Sequence, residues 1–209
     1  MEDNRNEPNV TELVNDVFDK EIDALRSIQH DVNSSYQDAI DLLLACKGKV
    51  VFTGVGKSGH IGEKLAATFA SVGIPSFFMH STEAVHGDLG MVSESDVVIA
   101  ISNSGETQEV LRVLPSLKAK KVKIVSMTGN NDSSLARAAD VSLVIHVDSE
   151  ADKFNLAPSC SSTGVLVAGD AIGLTLSRLI GFTEEGFGLN HPGGALGKKL
   201  VAQGILKEL

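Results

Sequence analysis

Between Ser102 and Thr107 the chain reads Ser-Asn-Ser-Gly-Glu-Thr, three hydroxyls in six residues where an apolar run gives way to a helical period. Free backbone N–H groups and the helix dipole make such a start attractive to an anion, and the hydroxyls of Ser and Thr add donors. This is the chemistry of a phosphate cradle without a fixed cationic side chain. The simpler alternative is that these residues merely cap a helix. A second cluster, Gly54-Val55-Gly56-Lys57-Ser58-Gly59, has the G-x-G-x-x-G spacing of dinucleotide sites. That reading also needs an acid near the end of the next strand, and Phe77-Phe78-Met79-His80 has none before Glu83. A P-loop would require glycine where Val51 stands. What remains is a glycine turn through which backbone can approach a ligand, with Lys57 and Ser58 at a helix start.

His80 and His86 flank a polar loop that also carries Glu83 and Asp88. Two histidines beside an anion site suit ligand contact or proton transfer; a metal would need more ligands than this pair. Glu109 falls in the first turn of a helix, where the dipole alone favours a carboxylate. Glu150, in Asp-Ser-Glu-Ala-Asp-Lys, reads equally well as a solvated loop charge. His191 precedes Pro192, Gly193 and Gly194, a fixed turn rather than a generic loop.

The elements that must position these groups follow from periodicity. Val97 to Ile101 is a short, β-branched apolar run, the pattern of a strand buried on both faces of a parallel sheet. Lys49–Thr53, Ser76–His80, Val122–Thr128 and Val141–Val147 are the other expected strands. Helical spacing runs from Val10 to about Asp31, from about Tyr36 to Cys46, from Ile61 to Val72, and through Val110, Leu111, Val113, Leu114 and Leu117 as one helix. It returns near Ser133–Ala138, within Leu156–Leu179, and in a short last helix. The alternation implies an α/β three-layer sandwich with a five-stranded parallel sheet. Ligands of such sheets bind at the carboxyl ends of the strands, where most of the polar clusters fall.

The 209 residues carry 43% apolar and 22% charged residues, an ordinary globular profile. A net charge of −9 argues against nucleic acid as the main partner. Cys46 and Cys160 show no metal or redox spacing and fit a reducing compartment. Residues 1 to about 8 are polar, expected to be disordered, and carry no signal-peptide pattern. No run of membrane-spanning length stands out, so the expectation is a cytoplasmic protein of one domain over residues 9–209.

Together, G-V-G-K-S-G-H-I-G, H-G-D-L-G-M, S-N-S-G-E-T, L-A-P-S-C-S-S-T, G-D-A and N-H-P-G-G-A-L-G closely resemble the D-arabinose 5-phosphate isomerases of the sugar isomerase (SIS) domain superfamily. The likeness runs from about Leu42 to Leu200. It implies a flavodoxin-like SIS fold and interconversion of D-ribulose 5-phosphate and D-arabinose 5-phosphate. That reaction supplies the precursor of 3-deoxy-D-manno-octulosonate for lipopolysaccharide or capsule. The resemblance places catalytic positions at Lys57, Glu109, Glu150 and His191. It places substrate contacts at Gly56, Ser58, Gly73, Ile74, His86, Ser102, Asn103, Ser104 and Thr107, and a zinc-associated position at His80. It also implies a homotetramer with sites shared between subunits, and no required cofactor, zinc being inhibitory or incidental. Family members commonly continue into a pair of CBS modules; a chain stopping at Leu209 is read as the form without them. Ala151–Asn155 departs from the family's usual Ala-Cys-Pro-like sequence, so the setting of Glu150 is not carried over.

The implied chemistry passes through a cis-enediol. On this expectation His191 and one carboxylate, Glu150 ahead of Glu109, share the acid and base roles, while Lys57 stabilises the enediolate. A non-catalytic phosphosugar-sensing module and an isomerase of a six- or seven-carbon sugar phosphate are the competing readings.

Overall fold

The computed structural model describes residues 9–192 and 195–204. The expected disordered tail over 1–8, and Gly193 and Gly194 of the histidine turn, lie outside them. All five residues of the strand Val97–Ile101 are buried. Val97, Ile99 and Ile101 enter one apolar core and Val98 and Ala100 the other, the period-two alternation of a strand covered on both faces.

In chain order the helices α1 (Val10–His30) and α2 (Ser34–Leu44) lead into β1 (Val50–Gly54), α3 (Gly56–Ser71) and β2 (Ser76–His80). The segment expected to be a plain loop holds a one-turn helix α4 (Ser81–Ala84) and a 3-10 turn (Asp88–Met91) before β3 (Val97–Ile101). Then come α5 (Gln108–Leu111), α6 (Leu114–Ala119), β4 (Lys123–Thr128), α7 (Ser134–Ala138) and β5 (Val141–Val144). A long α8 (Cys160–Leu179), α9 (Glu184–Asn190) and α10 (Ala195–Ala202) complete the described chain. The sheet is parallel throughout, in the order β2-β1-β3-β4-β5. The order reverses between β1 and β3, and a crevice opens at their carboxyl ends. Helices α2, α3 and α8 cover one face, packing on Phe52, Ile99 and Met127. Helices α5, α6 and α7 cover the other, packing on Val98, Ala100 and Ile124.

Two differences from the sequence reading have physical causes. The helix expected from Val110 through Leu117 is two pieces, because Pro115 has no N–H to donate to the Leu111 carbonyl. Helix α8 is long and apolar enough to cross a membrane by length and composition, although no run of that length was expected from sequence. Half of its apolar window is buried inside the fold. Its Gly169 and Gly173 let α3 approach: a Cβ at either would overlap Leu65 or Phe69. Helix α1 reaches the core only near its end, at Ile28; Val10, Leu13, Val14, Val17 and Phe18 stay exposed.

Candidate active site

Gly54 ends β1, and Gly56 takes φ +57°, a conformation open to glycine at little cost. The turn puts Lys57 and Ser58 in the first turn of α3. The N-cap, Val55, offers no side-chain hydrogen bond, so the α3 N-terminus keeps its donors for a ligand. Lys57 is exposed, with no carboxylate partner among the described residues.

The Ser102–Thr107 loop leaves β3 and closes on itself. Ser102 and Thr107 share a hydroxyl hydrogen bond of 2.8 Å, and the Gly105 N–H donates to both the carbonyl (3.0 Å) and the hydroxyl (3.1 Å) of Ser102. Thr107 is the N-cap of α5, yet its hydroxyl makes no capping bond, unlike Asn9, Asn33, Ser133 and Thr183 at other helices. Capping therefore does not account for these hydroxyls. Among the described residues, the backbone N–H groups of Asn103, Ser104 and Thr107 find no acceptor within the chain.

These two loops meet in a cleft of about 160 Å³ lined by Lys57, Ser58, Asn103, Pro158, Ser161 and Ser162. Ser161 and Ser162 begin α8. In Leu-Ala-Pro-Ser-Cys-Ser-Ser-Thr, hydroxyls directly before a helical run are the sequence signal, beyond the resemblance, that this segment lines the site. Glu150 lies behind this wall. Its carboxylate accepts the N–H of Ser159 (2.8 Å), the N–H of Ser161 (3.1 Å) and the hydroxyls of both. Burial pushes the Glu150 carboxyl up, but the hydrogen bonds from Ser161 and Ser159 outweigh it and hold the group below the usual carboxylate range. The departure after Glu150 builds its own scaffold. Asp152 accepts the N–H groups of Phe154, Leu156 and Ala157, and the Asn155 side chain accepts the N–H of Glu150.

On the other side of the cradle, α4 packs on α5, which brings the His80–His86 segment beside the helix bearing exposed Glu109. Exposed His86 follows α4 in a turn, its N–H on the Glu83 carbonyl. The His80 Nδ1 accepts the Thr82 N–H at 3.3 Å, which puts the proton of the neutral ring on Nε2. Among the described residues no three His, Cys, Asp or Glu side chains gather to hold a metal ion, around His80 or elsewhere.

Gly73, Ile74 and His191 do not join this group within one chain. Gly73 and Ile74 follow the C-terminal end of α3, next to Pro75, whose carbonyl accepts the N–H of Val50 at the start of β1. Phe182 fills the space above Gly73. The Asn190 side chain donates to the carbonyls of Ala70 and Ser71 at 3.3 and 3.4 Å, tying α9 to the same end. From Lys57 to Ala70 is 13 residues of helix, about 20 Å at 1.5 Å per residue. His191 therefore sits by the amino ends of the strands. Its ring stacks on Phe187 at 4.1 Å, and with Nδ1–H donating to the Phe187 carbonyl (2.8 Å) Nε2 has no hydrogen-bond partner among the described residues.

The SIS domain model matches residues 43–173, most of the chain and all of the sheet. The chain belongs to the SIS domain family. Its β1 and β3 loops and the start of α8, which form the cleft, all lie inside the matched SIS region. The arabinose 5-phosphate isomerase KdsD of Escherichia coli K12 is 53% identical over 181 residues, covering 87% of this chain and 55% of the relative. KdsD of Yersinia pestis is 49% identical over 185 residues, 88% of this chain and 56% of the relative. The chain thus spans about half the length of the curated relatives it matches. The solved structure of E. coli CFT073 c3406 in complex with arabinose 5-phosphate is 55% identical with a TM-score of 0.86, covering 88% of this chain and 100% of that one.

Proposed function

We propose that this SIS protein is an aldose–ketose isomerase that interconverts D-arabinose 5-phosphate and D-ribulose 5-phosphate through a cis-enediol. The observation that carries the reading is the cleft at the β1/β3 crossover. There Asn103, in a loop whose N–H groups at Asn103, Ser104 and Thr107 find no acceptor among the described residues, lines the same cleft as Lys57, in a chain 55% identical to a protein solved with arabinose 5-phosphate. The substrate phosphate sits in Ser102–Thr107 and the sugar extends toward Lys57, which stabilises negative charge on the enediolate oxygen. Proton transfer between carbons 1 and 2 falls to Glu109. What supports Glu109 ahead of Glu150 is that both Glu150 oxygens are already bound by Ser159 and Ser161, so that its role is to fix the start of α8. His191 Nε2 acts as the second acid or base, supplied by another subunit. Two copies packed antiparallel about a two-fold axis set the Lys57 cleft at the carboxyl ends of one sheet beside His191 at the amino ends of the other. Gly73 and Ile74 travel with His191 to that shared site, and a homotetramer follows if two such pairs associate. The reaction needs no metal, and the product serves 3-deoxy-D-manno-octulosonate synthesis.

The test is incubation with D-arabinose 5-phosphate in deuterated water, followed by NMR, with and without chelator. Deuterium at carbon 2 of the aldose together with ribulose 5-phosphate, in both samples, is the expected result. Saturable binding with neither label nor ketose would instead make the protein a phosphosugar sensor. Turnover lost with chelator would overturn the metal-free reading.

A further inference from the structure

We propose that Glu106 is a positioning residue for the phosphate cradle, its carboxylate fastening the Ser102–Thr107 loop to the start of α7. The inference rests on the cradle reading above and deepens it. A carboxylate within an anion loop opposes its ligand if it faces inward. Glu106 is exposed, yet its Oε1 accepts the N–H of Ser134, the first residue of α7, at 2.7 Å. That bond and the nearby Arg137 hold the carboxyl below the usual range, so it stays an anion fixed outside the cradle.

The attachment continues through the neighbouring residues. The Leu135 N–H donates to the Gly105 carbonyl at 3.0 Å. Gly105 takes φ +65°, and a Cβ there would overlap the Ser133 hydroxyl, which itself caps α7 on the Ala136 N–H. Loop and cap are in direct contact. On the far side, the Asn103 carbonyl accepts the Gly129 N–H (2.9 Å) and the Thr128 hydroxyl (3.2 Å). Three acceptors, at 103, 105 and 106, are thus spent on α7 and β4. Donors at Asn103, Ser104 and Thr107 stay uncommitted. Of these three anchors, Glu106 alone uses its side chain.

The test compares wild type with Glu106→Ala and Glu106→Gln, using inorganic phosphate as a competitive probe and D-arabinose 5-phosphate as substrate. Glu106→Ala should raise KM and the phosphate inhibition constant about tenfold while kcat stays within about twofold. Glu106→Gln, whose amide oxygen still accepts from Ser134, should return both to within about threefold of wild type. A purely structural role would lower the melting temperature of Glu106→Ala and leave KM and phosphate affinity in place; that outcome overturns the proposal. So does a Gln variant no better than Ala. Wild type that binds neither phosphate nor the sugar phosphate refutes the cradle itself, and this assignment with it.

Discussion

Mixing two inactive variants tests whether the catalytic groups meet across a subunit boundary. Lys57 begins α3 and His191 lies beside its other end, about 20 Å away. No side chain spans that gap, so a site using both groups draws them from two chains. Lys57→Ala spoils the cleft of its own chain and leaves His191 at the amino ends of the strands intact; His191→Ala does the reverse. In a mixed pair, one site receives both defects and the other receives none. Equal amounts reassorting at random give mixed pairs in about half of the dimers, and one good site in two within each. The mixture should therefore recover about a quarter of wild-type activity, from parents that each have almost none. The assay is ribulose 5-phosphate formation after the variants are dissociated and reannealed together, or co-expressed under two tags. A mixture no more active than its parents, with mixed oligomers demonstrated by the tags, would refute the shared-site reasoning; a His191→Ala parent that keeps its activity would leave His191 outside the reaction.

Ser104→Ala removes a hydroxyl from the cradle and should raise KM about tenfold with little change in kcat, read from steady-state kinetics. Gly105→Ala forces a side chain into left-handed backbone and against Ser133, and should cost about 2 kcal/mol in denaturant unfolding. Glu150 predicts a pH dependence. Its carboxyl is held below the ordinary value of about 4.3, so its bonds to Ser159 and Ser161 stabilise the fold fully above about pH 5. That contribution is lost as the pH falls through the depressed value. The stability gap between wild type and Glu150→Ala should be constant from about pH 5 to 7 and shrink below about pH 4; a gap unchanged at low pH would contradict the assignment.

What the sequence displayed was whatever a few adjacent residues decide. The apolar runs mark the three central strands most clearly, because burial on both faces leaves little room for polar positions. The turn from β3 into α5 was legible for the same reason: its hydroxyls, glycine and helix start fall within six residues. Glu150 was not, because its partners Ser159 and Ser161 lie nine and eleven residues on, and its loop is shaped by Asp152 and Asn155. His191 was less legible still. Its motif marks a fixed turn, but its place depends on Phe182 seating over Gly73 and Asn190 bonding the end of α3, contacts between segments more than a hundred residues apart. Those contacts carry the chemical consequence. On the proposed reading, in which His191 serves a neighbouring subunit's cleft, the site is complete only on association, and activity should depend on protein concentration wherever the subunits come apart.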